Sequence, residues 1–96
     1  MPTYQARPRF LRDIKDLTAK QIAAWEKALD LFIECLRQGK FEPALRVKRV
    51  QGYPGVWEMT WAADGRATFE YGQEVRPGEP HIVWRRIGTH DVFRRP

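Results

Sequence analysis

Histidine is the side chain whose unperturbed pKa lies near physiological pH, so it is sought first where protons must move. The chain has two, His81 and His90. His81 follows Pro80 at an expected strand start and reads as a surface residue. His90 lies in the step Gly88-Thr89-His90-Asp91. There Gly88 frees the backbone, Thr89 can bond locally and Asp91 could bias the charge of the ring. The other abundant chemistry is cationic. Seventeen Lys and Arg face twelve Asp and Glu, a net charge of +5. Residues 1–44 carry eight basic and six acidic side chains, and residues 45–96 carry nine and six. The excess is spread along the chain, so only folding can gather it into a nucleic-acid-facing patch. Otherwise it is a solvated surface.

Several chemistries drop out. Serine is absent, and the single Cys35 falls within a helical apolar stripe, so a protein nucleophile is not indicated. No glycine-rich phosphate loop occurs, and no cysteine cluster supports a metal centre. Neither a metal nor a cofactor is expected. RNA strand scission suits what is left, because the RNA supplies its own nucleophile, the 2′-hydroxyl. The protein must remove that proton, stabilise an anionic phosphorane and protonate the departing 5′-oxygen. A positioned acid or base is worth about 10²–10⁴-fold in rate. Cations at the phosphoryl oxygens stabilise the charge that grows in the transition state. His90 with Arg66, Lys48 and Arg86 supplies the necessary types.

The elements that must position these groups are legible in the spacing. Ninety-six residues allow one domain, here residues 1–96. Residues 3–6 suit a short strand. Pro8 opens a helix in which Phe10, Ile14 and Leu17 share a face. Thr18 followed by Gln21 is a capping-box pattern opening a second helix. Its stripe is Ile22, Trp25, Leu29, Phe32 and Leu36, and Gly39 ends it. From Leu45 the period becomes two: strands are expected over 45–50, 56–62, 66–71 and 81–87. Gly52-Tyr53-Pro54-Gly55 and Asp64-Gly65 are turns, and 73–80 is an exposed loop. For the hairpin, a three-residue loop from Asp64 to Arg66 pairs Trp61 with Phe69 and Met59 with Tyr71, setting apolar against apolar, with Gly65 at positive φ. Arg94-Arg95-Pro96 is expected to trail away. The fold class is α+β: an N-terminal helical hairpin on one face of a mainly antiparallel four- to five-stranded sheet, the other face open. Trp57, Trp61 and Trp84 could offer stacking planes for bases, although at this spacing aromatics more often build a core. No apolar run approaches the ~20 residues of a membrane span. The first residues form no signal region, so a cytoplasmic protein is expected.

The run Val56-Trp57-Glu58-Met59-Thr60-Trp61, then Asp64-Gly65-Arg66-Ala67-Thr68-Phe69, resembles the RelE/ParE toxin superfamily of bacterial type II toxin–antitoxin systems. The segment Arg86-Ile87-Gly88-Thr89-His90, followed by Phe93, is similar to the closing R-x-G-T-H…F segment of YafQ-type toxins. The resemblance implies a microbial-ribonuclease-like fold, ribosome-dependent and metal-independent cleavage of mRNA, and an antitoxin partner that covers the site. It places the catalytic histidine on His90 and the phosphate-supporting arginine on Arg66, with Phe69 as its aromatic. Lys48 stands where YafQ-type toxins carry a histidine, and Phe93 matches the closing aromatic. The hairpin histidine of that pattern is missing near Ala62. The lysines of RelE-like members fall on Glu58 and Thr60. Glu58 could act as a base, as in YoeB-like relatives, or pair with an arginine. The expected set is therefore His90, Arg66, Lys48, Glu58 and Arg86 for catalysis, and Arg46, Arg49, Arg85 and Phe93 for RNA binding. Two other readings stay open: a ParE-like toxin of DNA gyrase, against which Gly88-Thr89-His90 argues, and an inactive basic binding module.

Overall fold

The computed structural model describes residues 2–96. Strand β1 (Thr3–Ala6) leads into helices α1 (Pro8–Lys15) and α2 (Ala19–Gln38). Pro8 occupies the first turn of α1, where its missing N–H removes no intrahelical bond. The capping box at α2 forms as the sequence predicts. Thr18 Oγ1 accepts from the Gln21 N–H at 3.1 Å, and Gln21 Oε1 accepts from the Thr18 N–H at 2.8 Å. Gly39 closes α2 at φ +76°, in the left-handed region.

A short 3₁₀ helix (Pro43–Leu45) precedes β2 (Lys48–Arg49), β3 (Trp57–Ala62), β4 (Gly65–Tyr71), β5 (His81–Gly88) and a C-terminal 3₁₀ helix (His90–Arg94). The strand expected over 45–50 is thus only two residues long. Leu45 belongs to the 3₁₀ turn, and Arg46 sits at φ +48°, outside any strand conformation. The strand order is β1-β5-β4-β3-β2. β1 runs parallel to β5 and every other pairing is antiparallel. The architecture is the expected helical hairpin on a five-stranded sheet.

Aromatic contact joins the two layers. The Phe32 ring lies 5.1 Å from Phe69 and 5.2 Å from Trp84, and Trp25 lies 5.1 Å from Trp84. Trp61 and Trp84 are 7% and 4% exposed, so they are core rather than stacking platforms. Trp57 is half-buried, with the Arg49 guanidinium 5.2 Å from its ring centroid.

The hairpin keeps the expected apolar parity but not the expected register. Met59 pairs with Ala67 and Trp57 with Phe69. Ala62 pairs with Gly65 across the two residues Ala63 and Asp64, and the register shifts between Thr60 and Ala62. Trp61 is therefore an extra, bulged residue. The bulge makes the parity change that an odd loop was expected to make. Nor is Gly65 at positive φ. It is glycine because a Cβ there would lie 2.5 Å from the Trp61 indole.

Two surface expectations are also corrected. His81 is buried, with Nδ1 2.7 Å from Thr3 Oγ1 and Nε2 3.1 Å from Gln5 Oε1. These bonds pin β1 to β5, because the parallel edge carries the histidine inward. The face opposite the helices is not fully open. The segment after β5 folds back against β4 and β5 and buries Val92. Arg85 Nη2 donates to the Pro96 main-chain oxygen and Arg86 Nη1 to the Arg95 oxygen, both at 3.1 Å. Residues 94–96 are thus anchored rather than trailing, because these carbonyls find guanidinium donors on β5.

Candidate active site

His90 begins the C-terminal 3₁₀ helix, directly past the end of β5. Arg66 on β4 pairs with Gly88 on β5, so the β3–β4 turn and the end of β5 lie side by side. That neighbourhood gives His90 its partner. Its Nδ1 lies 2.8 Å from Asp64 Oδ1. Both side chains are exposed, at 60% and 70%. The ring also meets Phe93 edge-on, with centroids 5.8 Å apart. The carboxylate partner is Asp64 across the turn, not the adjacent Asp91 that the sequence suggested. A carboxylate that accepts from Nδ1 fixes the tautomer and leaves Nε2 for a substrate. In the sequence, Asp64 before Gly65 reads only as a turn former. Its other role depends on a contact 26 residues away in the chain.

Arg66 shares the turn but faces inward. Its Nη1 donates to the carbonyls of Gly65, Ala62 and Ala63 at 2.9, 3.2 and 3.4 Å. The residue is 9% exposed. It holds the turn that presents Asp64. Arg86 is similarly committed. Its Nε and Nη2 reach the two oxygens of Asp13 at 2.6 and 3.3 Å, and Asp13 also accepts from the Ile87 N–H at 3.1 Å. Asp13 therefore ties α1 to β5 just before the His90 segment. Arg85 bonds Pro96 and lies 3.4 Å from Glu70, which also pairs with Arg7.

Lys48 and Glu58 face each other across β2 and β3, with Nζ and Oε1 3.9 Å apart. Glu58 is four residues up the strand from Ala62, about 13 Å at ~3.3 Å per residue. The structure thus brings together His90, Asp64, Arg66 and Phe93, and leaves Lys48 and Glu58 further along the sheet. Arg46 and Arg49 are exposed near that edge. Among the described residues, no group of three or more His, Cys, Asp and Glu side chains could hold a metal ion. No helix among them is long and apolar enough to cross a membrane.

No family model matches the chain, and no curated protein matches it. Solved structures do. A chain of the E. coli DinJ-YafQ toxin-antitoxin complex superposes with a TM-score of 0.70 at 13% identity, covering 95% of this chain and 94% of that one. The YoeB/ParE toxin from Agrobacterium tumefaciens gives 0.68 at 16% identity, covering 92% and 98%. A chain of the RelB-RelE antitoxin-toxin complex from Methanococcus jannaschii gives 0.59 at 16%, covering 93% of each. With two helices packed on a five-stranded, mostly antiparallel sheet, this chain has the fold of the RelE/ParE toxins.

Proposed function

We propose that the protein is the toxin of a type II toxin–antitoxin system, cytoplasmic, and that it cuts ribosome-bound mRNA through the RNA's own 2′-hydroxyl. The observation that carries this reading is the exposed His90 ring held by Asp64 on a RelE-like fold. The 2′-oxygen forms a bond to phosphorus, and the bond from phosphorus to the 5′-oxygen breaks. His90 donates the Nε2 proton to that departing oxygen, while Asp64, bonded to Nδ1, sets the direction of the ring. The cut leaves a 2′,3′-cyclic phosphate and a 5′-hydroxyl. Arg66 keeps the turn in place, and Arg86, through Asp13, keeps the end of β5 in place. The proton of the 2′-hydroxyl goes to Glu58, the base that the resemblance implies, with Lys48 beside it assisting. Its place further up β3 makes Glu58→Gln the variant that decides whether it acts at the same phosphate.

The test is cleavage of mRNA on programmed ribosomes. His90→Ala should lower the rate about 10²-fold or more, and Asp64→Asn should lower it less while keeping the ring in place. Equal cleavage by wild type and His90→Ala would remove the assignment. A cognate antitoxin is the expected partner, since two of the similar structures are toxin–antitoxin complexes. A ParE-like gyrase toxin is the second reading, favoured by the commitment of Arg66 and Arg86 to protein partners. Growth arrest with intact mRNA and blocked supercoiling would establish it. Harmless overexpression would instead indicate a basic binding module.

A further inference from the structure

A groove of about 660 Å³ lies between α2, the Pro43–Leu45 turn and the β3–β4 turn. Three cations from three elements line it: Lys27, Arg46 and Arg66. No acidic side chain does. Among the described residues, neither the Lys27 ammonium nor the Arg46 guanidinium has a hydrogen bond or ion pair. Its floor is apolar, with Ala28 and Leu45 among the contributors.

Arg46 is the one non-glycine residue at positive φ among those described. It caps the Pro43–Leu45 turn, its N–H bonded to the Pro43 carbonyl, and this fixes the backbone from which the exposed guanidinium reaches the groove. Trp61 also lines the groove at 7% exposure, but its indole Nε1 is itself buried and, among the described residues, has no partner. A rim with two unpaired cations over an apolar floor suits a phosphodiester with its sugar and base.

We propose that this groove holds the single-stranded RNA segment flanking the cleaved bond, with a backbone phosphate between Lys27 and Arg46. The proposal rests on the ribonuclease reading, and geometry links the two. Ala63 and Arg66 line the groove, and Asp64 between them holds His90. A strand leaving the His90 ring around the turn enters the groove. The sequence put Arg46 among the RNA contacts but had no reason to add Lys27, which is one more charge on a helix face.

The experiment uses a short single-stranded RNA with every 2′-hydroxyl methylated, so that it binds without being cut. Affinity is read by fluorescence anisotropy across a salt series. Lys27→Gln and Arg46→Gly should each weaken binding about three- to tenfold and lower the salt slope by about 0.7, the share of one phosphate contact in a single strand. Arg46→Gly should keep its melting temperature, because glycine accepts φ +48°. Lys20→Gln, an exposed lysine of the same helix outside the groove, should leave both quantities nearly unchanged. No binding by the wild type, or an equal loss from Lys20→Gln, overturns the proposal. So does unchanged affinity in the groove variants, which would leave the groove to an acidic protein segment. The ribonuclease reading fails separately. If groove variants lose RNA affinity while the wild type cuts nothing on ribosomes, the groove stands and the activity falls. If cleavage depends on His90 and the groove variants bind normally, the reverse holds.

Discussion

Gly65→Ala should be the most damaging one-carbon change in the hairpin. A Cβ at that position would lie 2.5 Å from Cδ2 and Cε2 of Trp61 and 2.8 Å from Cε3, whereas ordinary contact begins near 3.4 Å. Either the indole or the strand must retreat by about 0.9 Å. The indole is 7% exposed and belongs to the main core cluster, so any shift of it disturbs packed neighbours. Overpacking of a filled core costs about 1–3 kcal/mol. Taking about 2 kcal/mol, and about 4–8 °C per kcal/mol for a domain of this size, the melting temperature falls by about 8–16 °C. The assay is a double-mutant cycle in urea with Trp61→Leu. Once the indole is gone, Gly65→Ala should cost less than about 0.5 kcal/mol, giving a coupling near 1.5 kcal/mol. An equal cost in both backgrounds, or a silent substitution in the wild type, would refute the claim that the ring is what excludes a side chain. Because the same turn carries Asp64, the proposed RNA cleavage should fall further than stability alone accounts for.

Asp13→Ala strips Arg86 of both carboxylate bonds and orphans the Ile87 N–H in a partly buried setting. It should cost about 3 kcal/mol by urea denaturation. Thr68 is fully buried and, among the described residues, its hydroxyl has no partner. Thr68→Val, nearly isosteric, should therefore stabilise by about 1 kcal/mol, and a loss instead would mean that the hydroxyl is satisfied. Burial pushes the Tyr71 phenol above its ordinary 10.0. The folded state then holds that proton more tightly than the unfolded one. The associated stability is whole below pH 10 and drains away as pH rises through the raised value. Denaturation midpoints should fall above pH 10, and Tyr71→Phe should flatten part of that fall.

Sequence alone determined the local devices, because their physics is contained in a few neighbouring residues. The capping box of Thr18 and Gln21, the stop at Gly39, the helical stripe through Trp25 and Phe32, and the matching of apolar with apolar across the hairpin all formed. Those periods also implied helices on a mainly antiparallel sheet, and the fold has that arrangement. What they left undetermined was contact between distant residues. The hairpin's parity could come from an odd loop or from a bulge, and the size of Trp61 against a bare Gly65 selected the bulge. The burial of His81 required β1 to arrive from the other end of the chain.

The site divides in the same way. His90 stood out by its type and by the glycine before it. Asp64 did not, since a turn aspartate has a sufficient local reason to be there. Likewise nothing in the spacing of Arg66 and Arg86 showed that their guanidinium groups would be spent on turn carbonyls and on Asp13. Charge type is written in the chain. Which charges are left unpaired is decided by folding, because pairing depends on side chains meeting across strands and helices.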